Sequence, residues 1–191
     1  MSIVTKRMKA LMLPVCLLVS ATAVSAEDGT ITFTGDISDA TCEIEVGDDT
    51  GSSDTGDFTV KLKPVSVTSL DADKRRAGDT PFYIKLSGAQ CPNGKYANVS
   101  FERALSLNID PVTGNLKNHT AAGAATKVQV GLTDEKLNAI DLNQQITDPT
   151  KGKQITNSTA RFDYWAQYVA TGGAATAGTV NTNVVYSIIY N

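Results

Sequence analysis

The chain has 191 residues, of which 41% are hydrophobic and 19% are charged, and its formal net charge at pH 7 is −3. These values are typical of a globular protein long enough for a single core of domain size, and they leave little room for two full domains. The acidic balance disfavours a nucleic-acid partner, because phosphate backbones are bound by clustered basic side chains.

The first residues have the pattern of a secretory signal peptide. Basic residues precede an apolar run over positions 10–23, and the run ends in small residues up to Ala26. The run is short and is followed at once by Glu27 and Asp28, which disfavours the alternative of a membrane anchor. We therefore predict a signal peptide over residues 1–26. Its removal takes away three basic residues and leaves 14 basic and 20 acidic ones, a net charge of −6.

The cysteines point to one disulfide bond. Cys16 lies inside the predicted signal peptide, so Cys42 and Cys91 remain in the mature chain. An even pair in a protein exported to an oxidising compartment predicts a disulfide between them, and the alternative is a pair of buried thiols.

The opening stretch of the mature chain, residues 29–37, has the period-two alternation of a strand that buries one face. Its apolar or hydrogen-only positions are Ile31, Phe33, Gly35 and Ile37. Two interpretations are open: the strand completes the sheet of its own domain, or it pairs with a sheet in another copy of the protein. No Pro or Gly lies between Ile37 and Cys42 to reverse the chain, which favours an extension that projects from its own domain.

The next predicted strand follows a change of parity. Its apolar residues, Ala40, Cys42, Ile44 and Val46, fall on even positions, whereas those of the opening stretch fall on odd ones. Because a one-residue shift sends every side chain to the opposite face, one continuous strand cannot contain both sets. We therefore predict a bulge or hinge near Ser38 and Asp39.

Further alternating runs follow along the chain and are separated by turn residues. They occur at residues 58–62, 65–70, 82–86, 99–107, 128–132 and 162–170. The polar stretches 47–57 and 71–78 are predicted to be loops, and residues 134–142 have only weak helical spacing. Many short strands without a persuasive amphipathic helix predict an all-β sandwich.

The C-terminal run is apolar on both faces. One face carries Val184, Tyr186, Ile188 and Tyr190, and the other carries Val185 and Ile189. A strand of this kind at an open sheet edge would invite aggregation. We therefore predict that it lies inside a sheet and that another strand pairs with it.

Several short segments, taken with their order and spacing, carry a resemblance to a known family. They are Thr32-Phe33-Thr34-Gly35-Asp36-Ile37, Ala40-Thr41-Cys42, Phe82-Tyr83-Ile84-Lys85-Leu86 before Cys91, Val130-Gly131-Leu132-Thr133-Asp134, Tyr164-Trp165-Ala166-Gln167-Tyr168-Val169-Ala170-Thr171-Gly172 and the penultimate Tyr190. Together they resemble the pilin subunits of chaperone-usher fimbriae, specifically the type 1-like major subunits, over essentially the whole mature chain. The polar insertion at residues 47–57 and the approach to Cys91 through Ala89 and Gln90 depart from the family pattern.

This resemblance implies an incomplete immunoglobulin-like β-sandwich, with an N-terminal donor-strand extension over residues 27–38 and a pilin domain over residues 39–191. In that family a periplasmic chaperone first fills the groove beside the C-terminal strand, and at the outer-membrane usher the extension of the next subunit replaces it. The implied donor residues are Ile31, Phe33, Gly35 and Ile37. The implied residues of the acceptor groove, where chaperone and donor dock in turn, are Val184, Tyr186, Ile188 and Tyr190. Cys42 and Cys91 match the family disulfide.

The expected function is that of a structural subunit of an adhesive surface fibre, a homopolymer of identical or related pilins secreted through the periplasm. The alternatives are a minor or tip-adaptor fimbrial subunit and a secreted β-sandwich module that binds a ligand. Catalysis is not expected, because the one histidine, His119, lies in a polar segment without a nearby acid in sequence. No glycine-rich phosphate loop follows a strand, and we expect neither cofactor nor metal.

Two apolar residues lie on the otherwise polar face of the strand at residues 162–170. They are Trp165 and Val169. The sequence leaves two interpretations open for them: burial between stacked subunits, or partial burial under a loop of the same domain.

Overall fold

The structure is a computed structural model that describes residues 41–51, 53–146 and 148–191. The predicted signal peptide at residues 1–26 lies outside the described residues. So does the predicted extension at residues 27–38, with all four candidate donor residues and the predicted bulge or hinge.

The described residues form ten β-strands and two short 3-10 helices. The strands are β1 (Glu43–Asp48), β2 (Ser53–Asp54), β3 (Arg76–Ser87), β4 (Tyr96–Phe101), β5 (Leu116–Lys117), β6 (Val128–Thr133), β7 (Ala139–Ile140), β8 (Lys153–Gln154), β9 (Ala160–Ala170) and β10 (Tyr186–Tyr190). The 3-10 helices are Val67–Leu70 and Pro149–Lys151. Among the residues that the structure describes, no helix has the length and apolar character needed to cross a bilayer.

The strands form two sheets, and each pairing between the named strands is antiparallel. The larger sheet has the order β2-β1-β3-β9-β6-β5, with β7 also paired to β6, and the smaller sheet has the order β10-β4-β8. The two longest strands, β3 and β9, lie side by side at the centre of the larger sheet. The predicted all-β sandwich is therefore confirmed.

The main core lies between the two sheets, as the period-two patterns of β3, β4 and β9 predict. It joins Ile84 and Leu86 of β3, Phe162 and Tyr164 of β9, and Ala97 and Val99 of β4. The Tyr164 ring stacks on Phe82, with centroids 5.4 Å apart, and meets Phe101 edge-on at 5.9 Å. Burial raises the pKa of the Tyr164 phenol, so this group stays neutral in the core.

The predicted disulfide between Cys42 and Cys91 is present. Both cysteines are buried in the main core, and their Cα atoms are 4.3 Å apart. The bond joins the residue before β1 to the connection between β3 and β4. It therefore anchors the start of the described chain to the body of the sandwich.

Several elements differ from the sequence prediction. The alternating run at residues 65–70 forms no named strand and contains the 3-10 helix Val67–Leu70, whereas the stretch 47–57, predicted as a loop, contains β2. β3 begins at Arg76, inside the stretch predicted as a charged loop, and its register against β9 shifts between Ala77 and Thr80. This irregularity lets the strand continue through residues that lack clean alternation. β4 ends at Phe101, so the predicted continuation to residue 107 is wrong.

The outer face of β9 is covered by its own domain at Val169, which is only 5% exposed. Residues 110–115 cover this face, and Asp110 accepts a hydrogen bond from Gln129 on the neighbouring strand, at 2.8 Å. Gly131 leaves the room that Val169 fills, because a Cβ there would lie 2.9 Å from Val169 Cγ2. Burial between stacked subunits is therefore not needed for Val169, and that interpretation is wrong for it.

Candidate strand-acceptor edge

The C-terminal strand β10 lies at the end of the smaller sheet. It pairs with β4 from Tyr186 opposite Phe101 to Tyr190 opposite Ala97. Among the described residues, no strand pairs with its other side. In an antiparallel ladder, alternate backbone groups of an end strand point away from the sheet and can bind a further strand. The predicted strand therefore lies at the end of its sheet, and not inside it, among the described residues, where β4 is its one partner.

A second stretch of chain has no described ladder partner. Residues 57–63 form no named strand, although the alternation at residues 58–62 predicts one. Within the described ranges, the backbone of residues 58–62 makes no hydrogen bond to other backbone groups. Phe58, Val60 and Leu62 are half-buried and the residues between them are exposed, which is the burial pattern of a strand that lacks its sheet.

These two stretches lie over the same cores. Phe58 and Tyr186 both pack against the main core, whereas Leu62 and Val184 pack against a second core cluster that contains Leu132. Segment 57–63 therefore follows β10 in the opposite direction. The Tyr186 hydroxyl links the two by donating a hydrogen bond to the Gly56 carbonyl, at 2.8 Å. We call β10, residue Val184 and segment 57–63 together the acceptor edge.

The four residues predicted to line an acceptor groove come together on one face of this edge. Tyr186, Ile188 and Tyr190 pack against the main core, and Val184 packs against the second cluster. All four are half-buried, whereas Val185 on the opposite face is 42% exposed. Burial and the nearby carboxylate of Asp57 raise the pKa of the Tyr186 phenol, so this hydroxyl remains a hydrogen-bond donor.

Sequence reasoning missed four further residues of this surface. Phe58, Val60, Leu62 and Phe101 pack beside the C-terminal residues on the two core clusters. The alternation at residues 58–62 was a usable signal for burial. It did not predict which strand these residues would lie beside. A period-two pattern shows which side chains share a face of the strand, but it does not show which strand is the neighbour.

The chemistry of this surface is apolar and backbone-based. Among the described residues, no group of His, Cys, Asp and Glu side chains is arranged to hold a metal ion. An open strand edge above a half-buried apolar face can instead bind a chain in extended conformation.

These features define a structural β-sandwich subunit whose candidate site is a sheet edge. The chain belongs to the fimbrial protein family, whose family model matches residues 31–191. Its resemblance to pilin subunits is thereby confirmed at the level of the family. Members of this family are structural components of surface fimbriae, and the chain is a fimbrial subunit rather than an enzyme.

Individual relatives cover nearly the whole chain. It is 37% identical to the F17 fimbrial protein of Escherichia coli over 176 residues, which is 90% of this chain and 92% of that protein. It is 37% identical to the major fimbrial subunit SMF-1 of Stenotrophomonas maltophilia over 175 residues, which is 88% of this chain and 96% of that one. A minor fimbrial subunit, HifD of Haemophilus influenzae, is 34% identical over 177 residues, covering 87% of this chain and 76% of HifD.

Solved structures agree on the fold. One match is a subunit from the structure of a chaperone-usher pilus that reveals the basis of rod uncoiling. It superimposes on this chain with a TM-score of 0.54 at 14% sequence identity, and the match covers 90% of this chain and 100% of that subunit. The P pilus rod subunit PapA superimposes on this chain with a TM-score of 0.51 at 13% sequence identity, and the match covers 71% of this chain and 94% of PapA. The immunoglobulin-like pilin fold is therefore confirmed.

Proposed function

We propose that this chain is a structural subunit of a chaperone-usher pilus and that it polymerises by donor-strand exchange. The observation that carries the proposal is the acceptor edge, where β10 and segment 57–63 lie over shared cores. Among the described residues, β10 has a strand on one side only, and residues 58–62 make no backbone–backbone hydrogen bond. The donor is the stretch 29–37 of a second copy. It supplies backbone groups to β10 and apolar side chains to the surface between the two stretches.

The donor and the acceptor edge match in length and period. Ile31 to Ile37 and Val184 to Tyr190 each span seven residues with four alternate positions on one face. The sheets of an immunoglobulin-like sandwich are antiparallel. An antiparallel donor in the simplest register has Ile31 opposite Tyr190 and Ile37 opposite Val184.

This register has Gly35 opposite Tyr186. Directly opposed residues on one face of an antiparallel pair have Cβ atoms about 4.5–5.5 Å apart. The Tyr186 ring reaches across the acceptor edge to the Gly56 carbonyl, so it occupies space that a donor side chain would need. Glycine suits this donor position because it has no side chain to meet the Tyr186 ring.

The size of the interaction is sufficient for a long-lived fibre. Burial of Ile31, Phe33 and Ile37 contributes about 1.5–3 kcal/mol each. Each backbone hydrogen bond of the ladder adds about 0.5–1.5 kcal/mol. A subunit in such a chain is held without a covalent link to its neighbours.

The proposed partners follow from this exchange. A periplasmic chaperone covers the acceptor edge before assembly, an outer-membrane usher exchanges it for the donor, and the mature fibre lies at the cell surface. We assign the chain to the main shaft of the fibre, in line with its 37% sequence identity to the major fimbrial subunit SMF-1. Its identity to HifD supports a minor subunit as the second candidate, and the number of copies per fibre, counted by immunogold labelling, distinguishes the two.

Gly35→Leu is expected to block or strongly slow fibre assembly while leaving the domain folded. The added side chain would meet the Tyr186 ring in the proposed register. Thr34→Leu is the matched control, because residue 34 lies on the opposite face of the donor, and it is expected to assemble. Electron microscopy of fibres measures the difference. If Gly35→Leu assembles as fast as the unmodified chain, this register is wrong, whereas rescue of Gly35→Leu by Tyr186→Ala would support it.

Tyr190→Ser is expected to abolish capture by the chaperone. The tyrosine is half-buried on the core-facing side of β10, and its loss removes an apolar contact from the surface that the chaperone covers. Ile189→Ser, on the exposed side of the same strand, is the matched control and is expected to retain capture. Copurification of each variant with the chaperone from the periplasm is the measurement. Equal recovery of both variants would contradict the proposed docking face.

A further inference from the structure

An exposed apolar patch lies next to the start of β10, and the acceptor edge does not include it. Leu105, Leu107 and Val185 are 66%, 86% and 42% exposed. We call these three residues the leucine patch. Single exposed apolar residues are common, but neighbouring ones on an ordered surface mark contact sites.

The patch is held in place by hydrogen bonds. Ser106, between the two leucines, is 3% exposed, and its hydroxyl accepts a hydrogen bond from the Val185 amide at 2.9 Å. The Val185 carbonyl accepts a second bond from the Glu102 amide at 2.8 Å. The leucines are therefore exposed on a loop that is fastened to the chain just before β10.

The opposite end of β10 carries the disulfide. Tyr190 pairs with Ala97 near the start of β4, and the next amide, that of Asn191, donates a hydrogen bond to the Tyr96 carbonyl at 2.9 Å. Cys91, which is bonded to Cys42, lies in the connection that leads into this end of β4. We call residues 41–43 and 88–95 the disulfide end of the domain. The leucine patch and the disulfide end thus lie at opposite ends of the same strand.

The chain between the donor strand and the domain is short, and this limits the distance between the leucine patch of one subunit and the disulfide end of the next. In the proposed antiparallel exchange, Ile37 of a second copy lies beside Val184, at the leucine-patch end of β10. Five residue steps join Ile37 to Cys42 of that copy, and an extended chain covers at most about 18 Å in five steps. The disulfide end of the second copy must therefore lie close to the leucine patch.

We infer that the leucine patch is the docking surface for the disulfide end of the next copy of this chain. That end exposes the uncharged Ala89, Gln90 and Asn93 together with the charged Glu43 and Lys95. Because charged residues are depleted at the centres of protein interfaces and the rims are polar, the uncharged residues suit the centre of this contact and the two charged ones its rim. This contact depends on the proposed donor-strand exchange. It adds a second, domain-to-domain interface that sets how consecutive subunits are oriented.

Site-specific photocrosslinking in assembled fibres tests this inference. A benzophenone amino acid in place of Leu107 is expected to crosslink to the disulfide end of another copy, identified by mass spectrometry of the digested product. The same probe in place of Leu137, another exposed leucine, is the matched control and is expected to give no product with that end. A reverse probe at Gln90 is expected to label residues 102–109 or Val185 and covers the case in which the Leu107 variant fails to assemble.

The outcomes separate this inference from the proposed function. Fibres whose Leu107 and Gln90 probes react only with other segments would overturn the leucine patch as the docking surface and leave donor-strand exchange standing. The double variant Leu105→Ser/Leu107→Ser is expected to bind a peptide of residues 27–38 as well as the unmodified chain does, but to lose the Gln90 crosslink. Unmodified chain that neither forms fibres nor binds this peptide would overturn the proposed function itself.

Discussion

A chain that keeps residues 1–26 but lacks residues 27–37 is expected to accumulate in the periplasm and to form no fibres. The deletion removes Ile31, Phe33 and Ile37, whose burial contributes about 1.5–3 kcal/mol each, and the backbone ladder between them. It leaves the acceptor edge intact, so the shortened domain is expected to copurify with its chaperone. Electron microscopy of cells that express only this variant measures the loss.

The control for this deletion keeps the length of the extension and changes only its other face. A chain with Thr30, Thr32 and Thr34 replaced by serine is expected to assemble, because these residues lie opposite the apolar face of the donor. A synthetic peptide of residues 27–38 is expected to bind the shortened domain and to stabilise it. Fibres that persist after the deletion would exclude donor-strand exchange through this segment.

The double variant Cys42→Ser/Cys91→Ser is expected to lose about 4 kcal/mol of unfolding free energy, since the bond closes a long loop in the unfolded chain. The two cysteines are separated by 49 positions in sequence, and both are buried in the main core. Because domains of this size have only about 5–15 kcal/mol of stability in total, the variant is expected to fold in low yield. Urea unfolding of the purified mature chain, followed by circular dichroism, measures the difference.

Ala89→Ser provides the comparison for this variant. It introduces a hydroxyl on an exposed residue close to the disulfide and is expected to leave the unfolding midpoint unchanged. Reduction of the unmodified chain with dithiothreitol is expected to reproduce the loss seen in the double variant. If the double variant is as stable as the Ala89→Ser chain, the disulfide contributes little and the packing of the core alone holds the sandwich.

Alternation alone predicts much of the fold. The runs around Val46, Ile84, Val130 and Phe162 all lie in described strands, because a half-buried strand needs an apolar residue at every second position. The disulfide also follows from the sequence, since only two cysteines lie outside the predicted signal peptide and they admit one pairing. The family follows from motifs whose order the chain preserves from its N-terminal stretch to Tyr190.

Other features depend on contacts between distant parts of the chain. Val169 lies on a face that alternation assigns to solvent, yet it is buried because residues 110–115 cover it and Gly131 makes room. Segment 57–63 alternates like a strand but lacks a described ladder. Neither feature can be derived from a local pattern, because each requires the position of another segment.

The candidate site divides in the same way. The sequence by itself determined which side chains of the C-terminal strand share a face, since Val184, Tyr186, Ile188 and Tyr190 follow from a period of two. Only the tertiary structure decided that β10 ends its sheet among the described residues and that segment 57–63 runs beside it over shared cores. It also decided that the leucine patch and the disulfide lie at opposite ends of β10. The physical reason is that side-chain periodicity is set within a strand, whereas strand order is set by the packing of residues far apart in the chain.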